Sequence, residues 1–217
     1  MLEVLVVRHG ESTADIEERF EGRWDCELTE LGIAQAELVA KWIKANYPPD
    51  VIISSPLKRA ARTAEIIGAA VGLEPLYDDA LLEWDNGKLA GRPKSEGDEF
   101  PETKDGPVLH WGPYGTESGI DLRARAQKFW VKLVLDYDKE GPDRRVCLVS
   151  HGMMIGMLFR SFLDLPICSD IGIKTGDTGV HLWRIEGKHR RILFSNSQAH
   201  LLGKPLKLNP LVCDPSD

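Results

Sequence analysis

Three short clusters carry most of the chemistry this sequence can offer. Arg8-His9-Gly10 follows the apolar run Val4-Leu5-Val6-Val7, Arg59 follows Ser54-Ser55-Pro56, and His151-Gly152 follows Val146-Cys147-Leu148-Val149-Ser150. Two arginines and two histidines brought together would surround a single anion, and a phosphoryl group suits them best, because planar guanidinium groups pair with its oxygens. One imidazole could then attack phosphorus in line while the arginines stabilise the charge of the transferring group. These clusters alone lack a proton donor for the leaving oxygen.

The elements that must position them can be read from the apolar pattern. Runs such as Val4 to Val7 and Val146 to Val149 suit strands buried on both faces of a parallel sheet, and Val51-Ile52-Ile53 is a shorter version. Open α/β sheets place their chemistry at the carboxyl ends of such strands, which is where all three clusters fall. Thr29 is placed to cap a helix through Ala34, Ala36, Leu38, Val39, Trp42 and Ile43, with Trp42 and Ile43 facing the core and Pro48-Pro49 ending it. A second helix follows Pro56, with Ala64, Ile66, Ile67 and Val71 as its apolar positions. Further helices are expected from about Asp121 to Tyr137 and from Met153 to Leu163, then a hairpin of Gly179 to Ile185 and Arg190 to Ser195 turning near Gly187. Thr13 to Glu27 reads as a polar loop, and the tail after Leu202, with Pro205, Pro210 and Pro215, as irregular.

Between Asn86 and Gly119 the pattern loosens into glycines and prolines. Stretches of this length are functional or disordered, and His110, Trp111 and Tyr114 favour an ordered lid facing the substrate.

At 217 residues the chain suits one α/β domain, 1–217, with the lid inserted at about 86–119. Its 42% hydrophobic and 28% charged residues are ordinary for a soluble protein, and no apolar run nears the ~20 residues that span a bilayer. Met1-Leu2-Glu3 lacks the basic start of a signal peptide. Cys26, Cys147, Cys168 and Cys213 are scattered without a C-x-x-C pair, which fits reduced thiols and a cytoplasmic setting. A net charge of −7 argues against nucleic acid as the main partner. No membrane partner is expected, and a homodimer is compatible with the sequence.

The motifs taken together resemble the histidine phosphatase superfamily, also called the phosphoglycerate mutase-like family. The resemblance rests on L-V-V-R-H-G-E-S at 5–12, G-x-x-D-x-x-L-T-x-x-G-x-x-Q-A from Gly22 to Ala36, S-S-P-L-K-R-A at 54–60, L-x-E-x-x-x-G-x-x-x-G from Leu81 to Gly91, and S-H-G at 150–152. It implies a three-layer α/β sandwich with a mostly parallel central sheet flanked by helices. It also implies that His9 becomes phosphohistidine, that Arg8, Arg59 and His151 hold the phosphoryl group, and that Glu83 is the general acid and later the base for water. Ser12, Gly22 and Gly152 are expected to bind substrate. No cofactor or metal is expected, because the arginines and His151 already carry the charge stabilisation.

One position departs from the family pattern: where asparagine is frequent, this chain has Asp15, whose carboxylate would repel phosphate unless it faces away, is protonated or meets a cationic group. Cofactor-dependent mutases carry E-R-H-Y-G around the catalytic glutamate, and here those positions read Glu83-Trp84-Asp85-Asn86-Gly87. The expected partner is therefore a small phosphorylated substrate that is hydrolysed, with phosphoglycerate mutase as the alternative and an inert binding relative as a third reading. A metal site of His9, Glu11 and His151 is disfavoured by the two arginines beside it. His110, His181, His189 and His200 lack a strand-end context and read as structural or exposed, while Arg62 and Arg125 divide between substrate and carboxylate partners.

Overall fold

The computed structural model describes residues 1–138, 142–169 and 171–202. Six strands form one sheet in the order β3-β2-β4-β1-β5-β6. These are β1 (Leu2–Arg8), β2 (Val51–Ser54), β3 (Leu76–Tyr77), β4 (Arg144–Ser150), β5 (Val180–Glu186) and β6 (His189–Ser197). The first four are parallel to one another, and β5 and β6 are the antiparallel hairpin at one edge.

Side chains alternate across β1, so one strand serves two cores. Leu2, Val4 and Val6 join Val146, Leu148 and Trp183 beneath α4 (Gly119–Tyr137) and α5 (Gly152–Phe162). Leu5 and Val7 join Ile52, Cys147 and Val149 beneath α2 (Glu30–Asn46) and α3 (Lys58–Val71). Both faces of β1 are dry from Val4 to Val7, which is why that run is continuously apolar instead of alternating. On the α4/α5 side, Phe162 stacks on Trp183 with ring centroids 5.2 Å apart. Trp42 is buried on the other side, as its helix position requires.

The helix boundaries follow the local chemistry. The Thr29 side chain accepts the Gly32 amide at the start of α2, and Ser118 does the same for Asp121 at the start of α4. α2 stops two residues before Pro48.

Two short elements were not legible. The polar stretch after Ser12 opens with a one-turn helix, α1 (Thr13–Ile16), and β3 adds two residues to the sheet beside β2. Neither is long enough to show a hydrophobic period. The stretch from 86 to 119 contains three short 3₁₀ turns, Gly87–Leu89, Lys94–Glu99 and Pro113–Gly115, and Phe100 meets Tyr114 edge-on at 5.0 Å. It is tied to the segment after α1, where Phe20 donates to Arg92 O and accepts from Gly91, and Lys94 donates to Glu18 O. The tail expected to be irregular lies outside the described residues, as does Cys213.

Candidate active site

Parallel neighbours β2, β4 and β1 end side by side, and that alone gathers the three clusters. His9 follows β1, Ser55 and the start of α3 follow β2, and His151 follows β4 as the residue that caps α5. His9, Arg59, His151 and Ser55 are all fully buried, and the two imidazole rings lie 5.1 Å apart between centroids. Gly10 is required because α2 is pressed against this corner: a Cβ at Gly10 would lie 2.4 Å from the Gly32 carbonyl oxygen.

His9 has its two nitrogens assigned different partners. Nδ1 is 2.8 Å from the Gly10 carbonyl oxygen, which fixes the hydrogen there. Nε2 accepts from Arg59 Nε at 3.3 Å and so presents a lone pair to the site. Burial, then the charges of Arg59 and Arg8, hold this imidazole well below its ordinary range, so it is neutral. His151 is lowered in the same way by burial and by Arg59. Its Nε2 meets the Ser55 hydroxyl at 2.8 Å, and its buried Nδ1 has no partner among the described residues.

Arg59 does two things at once. Besides reaching His9, its Nη1 donates to the Trp24 carbonyl at 3.0 Å and its Nη2 to the Gly22 carbonyl at 2.8 Å. It therefore organises the loop after α1 around itself. Gly22 contributes through that carbonyl, with φ +50°, and a Cβ there would lie 1.7 Å from Asn86 Oδ1. Arg8 donates to Thr175 O at 3.1 Å and faces Asp177 at 3.5 Å, leaving its buried Nε without a partner among the described residues.

Glu83 lies at the amino end of α5. Its Oε1 accepts from the Trp84 and Met154 amides at 2.8 and 3.1 Å, and its Oε2 from the Met153 amide at 3.1 Å. Burial nevertheless raises its carboxyl above the usual range, outweighing the Trp84 and Met153 hydrogen bonds and the Arg59 charge, which act the other way. A carboxyl raised by burial and an imidazole lowered by it are the pairing that acid-assisted transfer needs.

The remaining expected residues take more specific positions. Ser12 is buried, but its hydroxyl is engaged by the carboxylates of Glu21 and Asp15. Asp15 accepts the Ser12 amide at 2.9 Å across the start of α1, so its carboxylate is committed to the backbone. Gly152 opens α5, and a Cβ there would touch nothing within 4 Å. Glu11 accepts from the Thr29 hydroxyl at 2.7 Å. Arg62 pairs with Glu65 in the open. His181 and His200 are buried, and His200 Nε2 meets the Thr178 hydroxyl at 2.8 Å.

Sequence reasoning missed two groups here, Glu21 and Asp177, and left a third, Arg125, divided between substrate and carboxylate. Glu21 Oε1 lies 3.5 Å from Arg59 Nε, and its Oε2 lies 3.7 Å from His9 Nε2. Asp177 stands on Arg8. Arg125 reaches across from α4 to the backbone that carries Glu83, donating to the carbonyls of Ala80, Leu82 and Glu83 and pairing with Glu117. Each comes from a segment whose closeness to the strand ends is decided by the fold.

Comparison with known proteins points to one family. The family model described as histidine phosphatase superfamily (branch 1) matches residues 4–198. A glucosyl-3-phosphoglycerate phosphatase of Mycobacterium tuberculosis is 33% identical over 178 residues, covering 76% of this chain and 77% of that protein. A probable phosphoglycerate mutase GpmB of Yersinia pestis is 37% identical over 175 residues, with the same coverage. Among solved structures, the mycobacterial glucosyl-3-phosphoglycerate phosphatase in complex with VO3 superposes with a TM-score of 0.77 at 28% identity, covering 90% of this chain and 99% of that one. With the expected α/β sandwich in place and the family model spanning nearly all of the described residues, this chain belongs to the histidine phosphatase superfamily.

Proposed function

We propose that the protein is a metal-independent phosphomonoesterase that hydrolyses a small phosphorylated metabolite through a phosphohistidine at His9. The observation that carries this reading is the assignment of the two His9 nitrogens: Nδ1 is spent on the Gly10 carbonyl, which leaves Nε2, the acceptor of the Arg59 Nε hydrogen bond, as the unprotonated nitrogen that can turn its lone pair on phosphorus.

Arg8 Nε, Arg59 and His151 Nδ1 are the donors for the phosphoryl oxygens. Ser55 supports His151 in that role. Its oxygen accepts the Leu57 amide at 3.3 Å, and its hydroxyl proton can go to His151 Nε2, which puts the imidazole hydrogen on Nδ1. In the first step the P–O bond to the leaving group breaks as the His9 Nε2–P bond forms, and the Glu83 proton passes to the departing oxygen. In the second, Glu83 takes a proton from water as water attacks phosphorus, and the P–N bond breaks to release phosphate. The resting site is then restored. The charge on the transferring group is balanced by the two arginines throughout, so these steps need no metal. The stretch from 86 to 119 serves as the lid, and substrate choice lies there.

Release of phosphate from an aryl phosphate, assayed in the presence of a chelator, should be lost in His9→Ala and fall little in His110→Ala, which lies in the lid. Undiminished turnover in His9→Ala would sink the mechanism. The similarity to a protein named as a probable phosphoglycerate mutase favours a second reading, which predicts interconversion of 2- and 3-phosphoglycerate with a bisphosphoglycerate primer. Efficient hydrolysis without that interconversion removes it. Glucosyl-3-phosphoglycerate heads the panel of substrates to test, on the strength of the mycobacterial relative.

A further inference from the structure

The two arginines of the site do not face it unopposed. Arg8 meets Asp177 and Arg59 meets Glu21, each at 3.5 Å. Each arginine is thus matched by one carboxylate before any substrate arrives.

Glu21 is the more telling of the two carboxylates. It contacts Arg59 Nε, His9 Nε2 and the Ser12 hydroxyl together. Arg59 and His9 are the groups a transferable phosphoryl group must also meet, so Glu21 sits where a phosphoryl oxygen would sit. The loop that carries it is held by Arg59 itself, through the carbonyls of Gly22 and Trp24, so the carboxylate is anchored near this position.

We propose that Glu21 is a specificity residue that makes the site select the singly protonated form of a phosphomonoester over the dianion. The proposal rests on the reading of the site as a phosphoryl cage. A dianion placed against the Glu21 carboxylate would set like charges together in a buried setting. A single proton shared between a Glu21 oxygen and a phosphoryl oxygen converts that repulsion into a charge-assisted hydrogen bond. The monoanion brings this proton with it, and no bond other than the shared O–H is involved.

The groups around Glu21 leave it no other relief. Arg59 of α3 is its one cationic partner among the described residues, and His9 at the end of β1 is neutral. Asp15 of α1 lies on the far side of the Ser12 hydroxyl, and Asp177 before β5 and Glu83 before the lid both feel Glu21 as a like charge. Cys26, which lines the same loop, is pushed up by burial and stays a neutral thiol.

Binding of inorganic phosphate tests this without requiring turnover. Calorimetric titrations at pH 5.5 and 7.5 would compare the wild type with Glu21→Gln, whose amide keeps a partner for Ser12 and adds a donor for phosphate. Because both proteins see the same ligand ionisation, the difference between them isolates Glu21. The variant should bind phosphate at least tenfold more tightly than the wild type at pH 7.5, and the two should converge at pH 5.5. Glu21→Ala, which simply clears the seat, should also tighten binding at pH 7.5. Equal or weaker binding by both variants at pH 7.5, or a pH dependence identical in the wild type and Glu21→Gln, overturns the proposal. If no protein binds phosphate at either pH, the phosphoryl-cage reading falls and takes this proposal with it. Phosphate bound by the wild type and lost in Arg59→Ala, alongside variants no tighter than wild type, overturns the role of Glu21 alone.

Discussion

Arg125 Nη2 donates to the main-chain carbonyl of Glu83 at 3.2 Å, while Nη1 takes the carbonyls of Leu82 and Ala80 at 2.7 and 3.0 Å. One guanidinium on α4 thus gathers the backbone of three of the four residues from Ala80 to Glu83. Its other partner, Glu117, receives two hydrogen bonds at 2.7 and 2.9 Å and is itself near Arg23. The side chain of Glu83 is held from one direction by α5 amides and its main chain from the other by Arg125.

Arg125 therefore acts through Glu83 and positions it. Arg125→Lys keeps the charge but cannot span the same carbonyls, and it should lower kcat by about ten- to a hundredfold, a fraction of what a general acid contributes. KM should change little, because Arg125 has no place among the phosphoryl donors. The acid group seen in the pH profile of kcat should move as well. A rise in KM with kcat preserved would place Arg125 at the substrate instead.

As the acid of the proposed mechanism, Glu83 should matter in proportion to how poorly the leaving group departs. Glu83→Gln should cut phosphoryl transfer from an alkyl phosphate by roughly 10²–10⁴-fold. For an aryl phosphate with a strongly acidic phenol, formation of the phosphoenzyme in single-turnover measurements should be much less affected. Equal losses for the two substrates would deny Glu83 the role of acid toward the leaving oxygen.

Buried neutral histidines make the fold sensitive to acid. Burial drives His181 and His200 down to about 4, and His9 and His151 are lowered in the same direction. The unfolded chain, with values near 6.5, takes up these protons first, so stability is full above about pH 6.5 and is lost as the pH falls from there toward the folded values. A shift from 6.5 to about 4 is worth up to about 3 kcal/mol for each of His181 and His200. Glu83 and Asp177, raised in the fold, contribute the opposite sign, but they are two groups against four. Thermal melts between pH 7.5 and 4.5 should show a falling Tm below about 6.5, with a shallower fall in His200→Gln. A Tm independent of pH over that range would contradict this account.

Much of the site was legible because the chain writes it locally. A strand buried on both faces must be continuously apolar, so its end is marked where Arg8, Ser54 or Ser150 interrupts the run. Helix caps at Thr29 and Ser118 were local too, although only the first was read, since Ser118 lies at the close of a stretch rich in glycine and proline. The one-turn helix at Thr13 and the two-residue β3 were hidden because neither repeats a pattern long enough to see. Asp15 shows the limit of reading residue by residue. As a type it threatens the phosphate site, and as a neighbour of Ser12 it closes the first turn of α1.

The sequence by itself determined the family and the layered α/β architecture and named the candidate reacting groups, because strand-end motifs state both their residues and their address. Tertiary structure alone decided what those groups face. The sheet order β2-β4-β1 turns three distant segments into one pocket. The loop after α1 and the segment before β5 then bring Glu21 to Arg59 and Asp177 to Arg8, and α4 brings Arg125 behind Glu83. Spacing along a chain cannot register such pairings, since charge acts through space and the distances that set its sign and strength exist only once the layers have packed.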